Sequence, residues 1–198
     1  MERRPSTGRR SATVPLVLLV VAASKLELAA LRDVDTFVCG VGPVEAALAT
    51  ARRLDEGDVT AVLHVGIAGA RTLDPLTLAL GSESVYCDVV DAGSTFPRID
   101  RVAPDATLLA AARRALPEAH VLPIGTSGRL GGGTGCEVEA MEGFGVLRAA
   151  ALADVPAVEL RVISNTVGEA DRAKWLFDDA FALLGDAVAR LVPELAHA

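Results

Sequence analysis

"ELRVISNTVGE", residues 159–169, starts as a buried strand and ends as a turn. The largely apolar run that carries it, from residue 157, stops at Ser164-Asn165, and Gly168 follows. Continuous rather than alternating apolar character marks a strand covered on both faces, as in parallel sheets. Sheets of that kind bind ligands beyond the carboxyl ends of their strands. Asn165 stands at such an end. It can be a polar cap on a turn or the next helix, or a group that reads a ligand.

Similar runs lie at 15–22, 36–41, 59–65, 84–88 and 119–125. Helical segments separate several of them. In 43–57, Pro near the start and Gly at the end give the usual helix asymmetry. Further helices are expected at 105–116, 141–153 and 175–192. Strands alternating with helices predict an α/β fold, a three-layer αβα sandwich around a mostly parallel or mixed sheet. No repeat or linker interrupts it, so a single domain is expected over 14–198. Residues 1–13 are Arg-rich and polar and are expected to form a disordered basic tail. That tail and the apolar run after it also have the look of a signal peptide. Residues 14–23 are too few to span a bilayer. The strand reading is preferred, because the chemistry below needs Glu27 held at the end of this run.

Hydrophobic residues make up 51% of the chain and aromatics 4%, so Ala, Val and Leu must fill the core. The formal net charge of −7 argues against a nucleic-acid partner, whose phosphates need a basic face. No membrane partner is expected either. Cys39, Cys87 and Cys136 share no CxxC spacing and no nearby His pair, so no metal site is expected. Three widely spaced cysteines fit free thiols in a reducing cytoplasm. No cofactor is expected: the Gly turns match neither a P-loop nor a convincing dinucleotide fingerprint.

Chemistry-bearing residues gather after the strands. Glu27 follows the first, "CGVGPVE" the second, "GIAGA" (66–70) the third and "TSGRLGGGTG" the fifth. "EVEAMEG" precedes the central helix. Each has an ordinary explanation alone. Short Gly pairs are turn chemistry. Glu139 and Glu142 near a helix start suit the helix dipole. Glu27 can be an exposed helix-start glutamate, and His64 a satisfied core residue within its strand.

Taken together, "CGVGPVEAALAT", "VLHVGIAGA", "VEAMEGFGVLRAAALADVPAVELRVISNTVG" and "DRAKW" resemble the nucleoside phosphorylase and nucleosidase superfamily. The block 139–168 and the "DRAKW" beyond it look most like its futalosine hydrolases. That resemblance implies cleavage of a hypoxanthine base from a modified nucleoside, on the futalosine route to menaquinone. It implies Glu27 as the base that activates the attacking water. It implies that Glu142 accepts from the ribose hydroxyls while Met141 packs on the sugar. Ile67, Ala68 and Gly69 would run along the cavity, Ser127 and Gly128 would lie near the base, and Ser164 would support Asn165. Adenine-specific relatives carry Asp where this chain has Asn165. An amide both donates and accepts, so it suits a 6-oxopurine, whereas a carboxylate would face O6 acceptor to acceptor.

The chain departs from the pattern in places. "EVEAMEG" holds one residue more between Glu139 and Met141 than the adenine-specific nucleosidases, so no role passes to Glu139. "RLGGGTGC" is short and Gly-rich where relatives have a helix, and no base-stacking residue is assigned there. A phosphorylase would need cationic donors. Arg71 and Lys25 are the basic residues near the Gly turns, neither in a phosphorylase-like motif, which favours hydrolysis. The competing readings are another purine nucleosidase or phosphorylase, or a relative that binds a nucleoside without turnover. A small-molecule purine nucleoside is the expected partner, and a homodimer or larger homo-oligomer the expected assembly. Trp175 or Arg172 would face the aromatic acid at the 5′ position of futalosine, or Trp175 simply docks a helix.

Overall fold

The computed structural model describes residues 17–89, 95 and 97–198. The expected basic tail and the first two residues of the expected strand 15–22 lie outside the described residues. The chain then runs β1 (Leu18–Ala22), α1 (Lys25–Leu28), β2 (Asp35–Val38), α2 (Pro43–Leu54), β3 (Ala61–Ala70), β4 (Leu78–Tyr86) and β5 (Arg101–Val102). After these come α3 (Ala106–Ala115), β6 (His120–Thr126), β7 (Val138–Ala140), α4 (Gly143–Leu152), β8 (Ala157–Thr166) and α5 (Phe177–Leu195). A single 3-10 turn, Arg172–Lys174, precedes α5.

Alternation along the strands builds the layers. Leu19 and Val21 of β1 pack with Ala46 and Leu54 of α2 and with Val146, Leu147 and Ala150 of α4. Val20 and Ala22 turn to the other face, against α3 and α5. The stripe Ala180, Leu184, Ala187, Leu191 and Leu195 covers that face, at the three- and four-residue spacing of a helix. The three-layer α/β sandwich expected from the sequence is the observed fold.

The sheet is mixed. β1 pairs in parallel with β2 and β3, and β3 with β8. β8 then meets β4 antiparallel, β4 meets β6 in parallel, β6 meets β7 in parallel, and β7 returns antiparallel to β3. The strands β3, β8, β4, β6 and β7 therefore close a ring of hydrogen-bonded pairs. Strand β3 is longer than its apolar run suggested because it continues through Gly66 and Gly69 to join that ring. The brief β5 and β7 and the one-turn α1 were not anticipated, since elements of two to four residues carry no readable period.

One irregularity matters for the site. β3 and β8 run in register up to Ala68 opposite Ile163, and then Gly69 faces Asn165. Ser164 is the extra residue of a β-bulge. Its carbonyl accepts from Leu176 N–H at 2.9 Å, which ties the entry of α5 to the bulge.

Candidate active site

The strand ends open on one cavity of about 890 Å³. Its wall includes Glu27, Ile67, Ala68, Gly69, Met141 and Glu142, together with Ser164 and Asn165. Of the catalytic and substrate-binding residues expected from the sequence, Ser127 and Gly128 stand off this wall. Ser127 Oγ donates to Asp88 Oδ1 at 2.6 Å and Gly128 N–H donates to Asp88 Oδ2 at 2.8 Å. Asp88 thus draws the turn back, and the next three residues, Arg129, Leu130 and Gly131, reach the cavity instead.

Glu27 is the third residue of α1 and 5% exposed, not the exposed helix-start glutamate that sequence alone allows. Its Oε2 accepts from Ser24 N–H at 3.0 Å and Ser24 Oγ at 3.1 Å, and its Oε1 accepts from Ile67 N–H at 3.2 Å. A buried carboxylate needs such donors. Glu142 sits just ahead of α4, also 5% exposed, and accepts from Gly42 N–H at 3.1 Å. Burial raises its pKa, with the Glu27 and Glu159 carboxylates adding to the rise; Arg161 and the Gly42 N–H oppose it. On β8, Asn165 Oδ1 accepts from Ser164 Oγ at 2.8 Å, and Nδ2 donates to Thr166 C=O at 3.0 Å. One N–H and one lone pair of the amide remain for a ligand.

Arg161 belongs to this site and escaped the sequence reading. It is fully buried on β8. Nε donates to Glu159 Oε1 at 2.8 Å, and Nη2 meets His64 Nε2. Nη1 is buried with no hydrogen-bond partner among the described residues; Glu142 Oε2 lies 3.9 Å away. A Cβ on Gly66 would overlap Nη1 and come within 2.6 Å of Glu27 Oε1. The absence of a side chain at 66 is what lets the guanidinium and the carboxylate approach each other. Burial opposes the charge of Arg161, but Glu159, Glu142 and Glu27 outweigh it and raise its pKa. A signal was present in the sequence: Glu159 and Arg161 are two apart in a buried strand, so they share a face and must be paired.

Arg71 does not reach toward a ligand. Its Nε donates to Cys136 C=O at 2.8 Å, and Nη2 contacts Thr134 C=O and Glu139 Oε1. Glu139 also accepts from Gly132 N–H at 2.9 Å and Thr134 Oγ1 at 2.8 Å. This pair holds the Gly-rich loop. At the far side of the cavity, Trp175 packs on Phe177 with ring centroids 5.4 Å apart. The Arg172 guanidinium lies 5.7 Å from the Trp175 ring centre. Trp175, Phe177, Phe181 and Arg172 all line the cavity. Among the described residues no cluster of His, Cys, Asp and Glu could hold a metal, and no helix is long and apolar enough to cross a membrane.

Known proteins carry the same frame. The family model described as the phosphorylase superfamily matches residues 32–197. A futalosine hydrolase from Streptomyces coelicolor is 35% identical, with 81% of this chain and 79% of that protein covered. The native futalosine hydrolase structure of Helicobacter pylori has a TM-score of 0.81 at 16% identity, over 92% of this chain and all (100%) of that one. The methylthioadenosine/S-adenosylhomocysteine nucleosidase of Colwellia psychrerythraea, solved in complex with adenine, has a TM-score of 0.76 at 22% identity, over 91% of this chain and 94% of that one. At such identities the two structures establish the fold, while the match over most of the sequence places the chain more narrowly. It belongs to the phosphorylase superfamily and, within it, to the futalosine hydrolases.

Proposed function

We propose that this chain hydrolyses the N-glycosidic bond of futalosine, releasing hypoxanthine, as a cytoplasmic step of menaquinone biosynthesis. The observation that carries the reading is the meeting of Glu27, Glu142 and Asn165 on one cavity wall, with the buried, unpaired Nη1 of Arg161 behind Glu27 and Glu142. Breaking the bond leaves an oxocarbenium-like ribosyl centre and a purine that gains negative charge. Glu27 takes a proton from water as its oxygen adds to the anomeric carbon. The bonding pair leaves with the base, which takes a proton from solvent at N7, and Glu27 returns its proton to solvent. Asn165 then donates its free N–H to O6 and accepts from N7–H. Glu142 accepts from the ribose hydroxyls, and Met141 packs against the sugar. The aromatic wall of Trp175, Phe177 and Phe181, with Arg172, takes the 5′ aromatic acid.

Incubation with futalosine, inosine and methylthioadenosine tests the reading. Free hypoxanthine from futalosine is the expected product, and adenine from methylthioadenosine would overturn it. Added phosphate is expected to yield no sugar phosphate. The base reader makes a sharper prediction. Asn165→Asp puts an acceptor opposite O6, at a cost on the order of 1–3 kcal/mol. Its kcat/KM for a hypoxanthine nucleoside is expected to fall about 5- to 150-fold. An unchanged value would remove Asn165 from base recognition.

The assembly we propose is a homodimer. Val44 and Leu48, four apart on α2, are both 66% exposed. Val41, just ahead of that helix, and Leu26 are 64% and 67% exposed and also line the cavity. Exposed aliphatic residues continuous with a ligand cavity suit burial by a second copy. Sedimentation is expected to give a dimer that Leu48→Glu splits into monomers. A wild-type monomer at micromolar concentration would refute this.

A further inference from the structure

We propose that His64 is a positioning residue for the hydrolytic step: as its Nδ1–H tautomer it accepts from Arg161 Nη2 and, together with Glu159, aims Arg161 Nη1 at the water beside Glu27. The proposal rests on the reading of this cavity as a hydrolytic site, and it assigns a task to a histidine that does not touch the cavity.

The register of the strands sets up the contact. In the parallel pairing of β3 with β8, His64 is level with Glu159 and Gly66 is level with Arg161. All four therefore lie on one face, the face covered by α4. On its β3 side the Arg161 side chain has Gly66 beside it and leans across β3 toward Glu27. His64 and Glu159 lie one step further in, and both are fully buried.

A guanidinium is a rigid plane with five donors. Fixing two of its nitrogens fixes the direction of the third. Glu159 Oε1 fixes Nε at 2.8 Å. His64 Nε2 fixes Nη2. Arginine has no acceptor, so Nε2 must present its lone pair. The proton is then on Nδ1, which lies 3.0 Å from the Val21 carbonyl and donates to it. Each ring nitrogen has one role, and the backbone of β1 decides which. Burial, then the Arg161 charge, lowers the pKa of His64 well below the usual histidine value, so the ring keeps its acceptor at neutral pH.

The other end of the chain is braced as firmly. Glu159 Oε2 accepts from Ser84 Oγ. A Cβ on Gly143, the first residue of α4, would overlap the Glu159 carboxylate, so that carboxylate sits against the start of the helix, where the dipole favours negative charge. Ser84, Glu159, Arg161, His64 and Val21 form one continuous polar chain through the core. Every link ends in a protein partner except Nη1. The carboxylates facing Arg161 are Glu159, Glu142 and Glu27, and only Nη1 remains to serve the last two.

The test compares two substitutions at one position. His64→Gln keeps an acceptor within reach of Nη2, whereas His64→Met fills the same space without one. Steady-state hypoxanthine release should show kcat reduced about 100-fold in His64→Met with KM little changed, since misplacing a catalytic group by about 1 Å has that effect. His64→Gln should recover most of the loss. Equal kcat in His64→Met and the wild type would overturn the proposal. So would equal losses in both variants, which is the mark of a purely structural histidine. A substrate-free measurement stands beside these, in case His64→Met does not fold. Nitrogen-15 spectra of the three ring systems, with His64 identified by its loss in His64→Gln, should show Nδ1 protonated and Nε2 bare at neutral pH. A ring protonated on Nε2 would overturn the proposal. A wild-type chain that releases no hypoxanthine would instead refute the functional reading and leave the ring spectrum to decide on the polar chain.

Discussion

Glu27→Gln is expected to lower kcat for hypoxanthine release by about 10²–10⁴-fold, the usual contribution of a positioned general base. Glutamine has the shape of glutamate but cannot take the proton of the attacking water. Its single oxygen can satisfy Ser24 N–H or Ile67 N–H, which Glu27 serves with separate oxygens. The other donor then meets an NH₂ group. The variant should therefore fold with a modest loss of stability while losing most of its turnover, with KM much less affected. Single-turnover and steady-state assays on futalosine measure this. Turnover equal to the wild type would take the base role from Glu27, and a chain with no turnover to lose would favour the non-catalytic binder.

The largest expected effect on stability comes from Arg161→Met. Methionine fills the volume but leaves Glu159 buried, with its Oε1 facing no cation. Breaking one side of a buried ion pair costs about 3–5 kcal/mol. His64 Nε2 also loses its donor. Urea unfolding monitored by circular dichroism should show that loss as a lower midpoint at unchanged slope. The double variant Arg161→Met/Glu159→Gln removes the stranded charge and should regain a good part of it, because residues in one polar network do not add independently. A single-variant loss under about 1 kcal/mol, the scale of an exposed pair, would mean that the interior solvates Glu159 without Arg161.

What could be read from the sequence follows the length scale of each interaction. Helices such as α2 and α3 announce themselves over ten or more residues, and their ends were close. The four-residue α1 did not, and it is what turns Glu27 from a plausible surface glutamate into a buried carboxylate. Asn165 and Glu142 were reachable because one stands at the end of a strong strand signal and the other just ahead of a helix signal. Arg161 was obscured by the apolar residues around it, although its spacing from Glu159 carried the clue. His64 could not be given a task from the sequence, because its partner is 97 residues away and the link exists only once β3 and β8 are paired in register. The position of Ser127 and Gly128 off the cavity wall was hidden for a similar reason: Asp88, which draws them back, lies 39 and 40 residues away in the chain.

The bulge at Ser164 has a consequence for how specificity is encoded. A regular strand shows alternate residues to opposite faces, so a reader and its brace could not be neighbours in sequence. With the extra residue, Ser164 and Asn165 both line the cavity, and the hydroxyl of one supports the amide of the other at 2.8 Å. The strand end thus works as a socket with a built-in hydroxyl. Any side chain at 165 that presents an oxygen inherits an aligned donor, whether it is an amide or an acid. On the proposed reading of Asn165, the choice of purine would then be exchanged by a single letter while the backbone that displays it stays as it is.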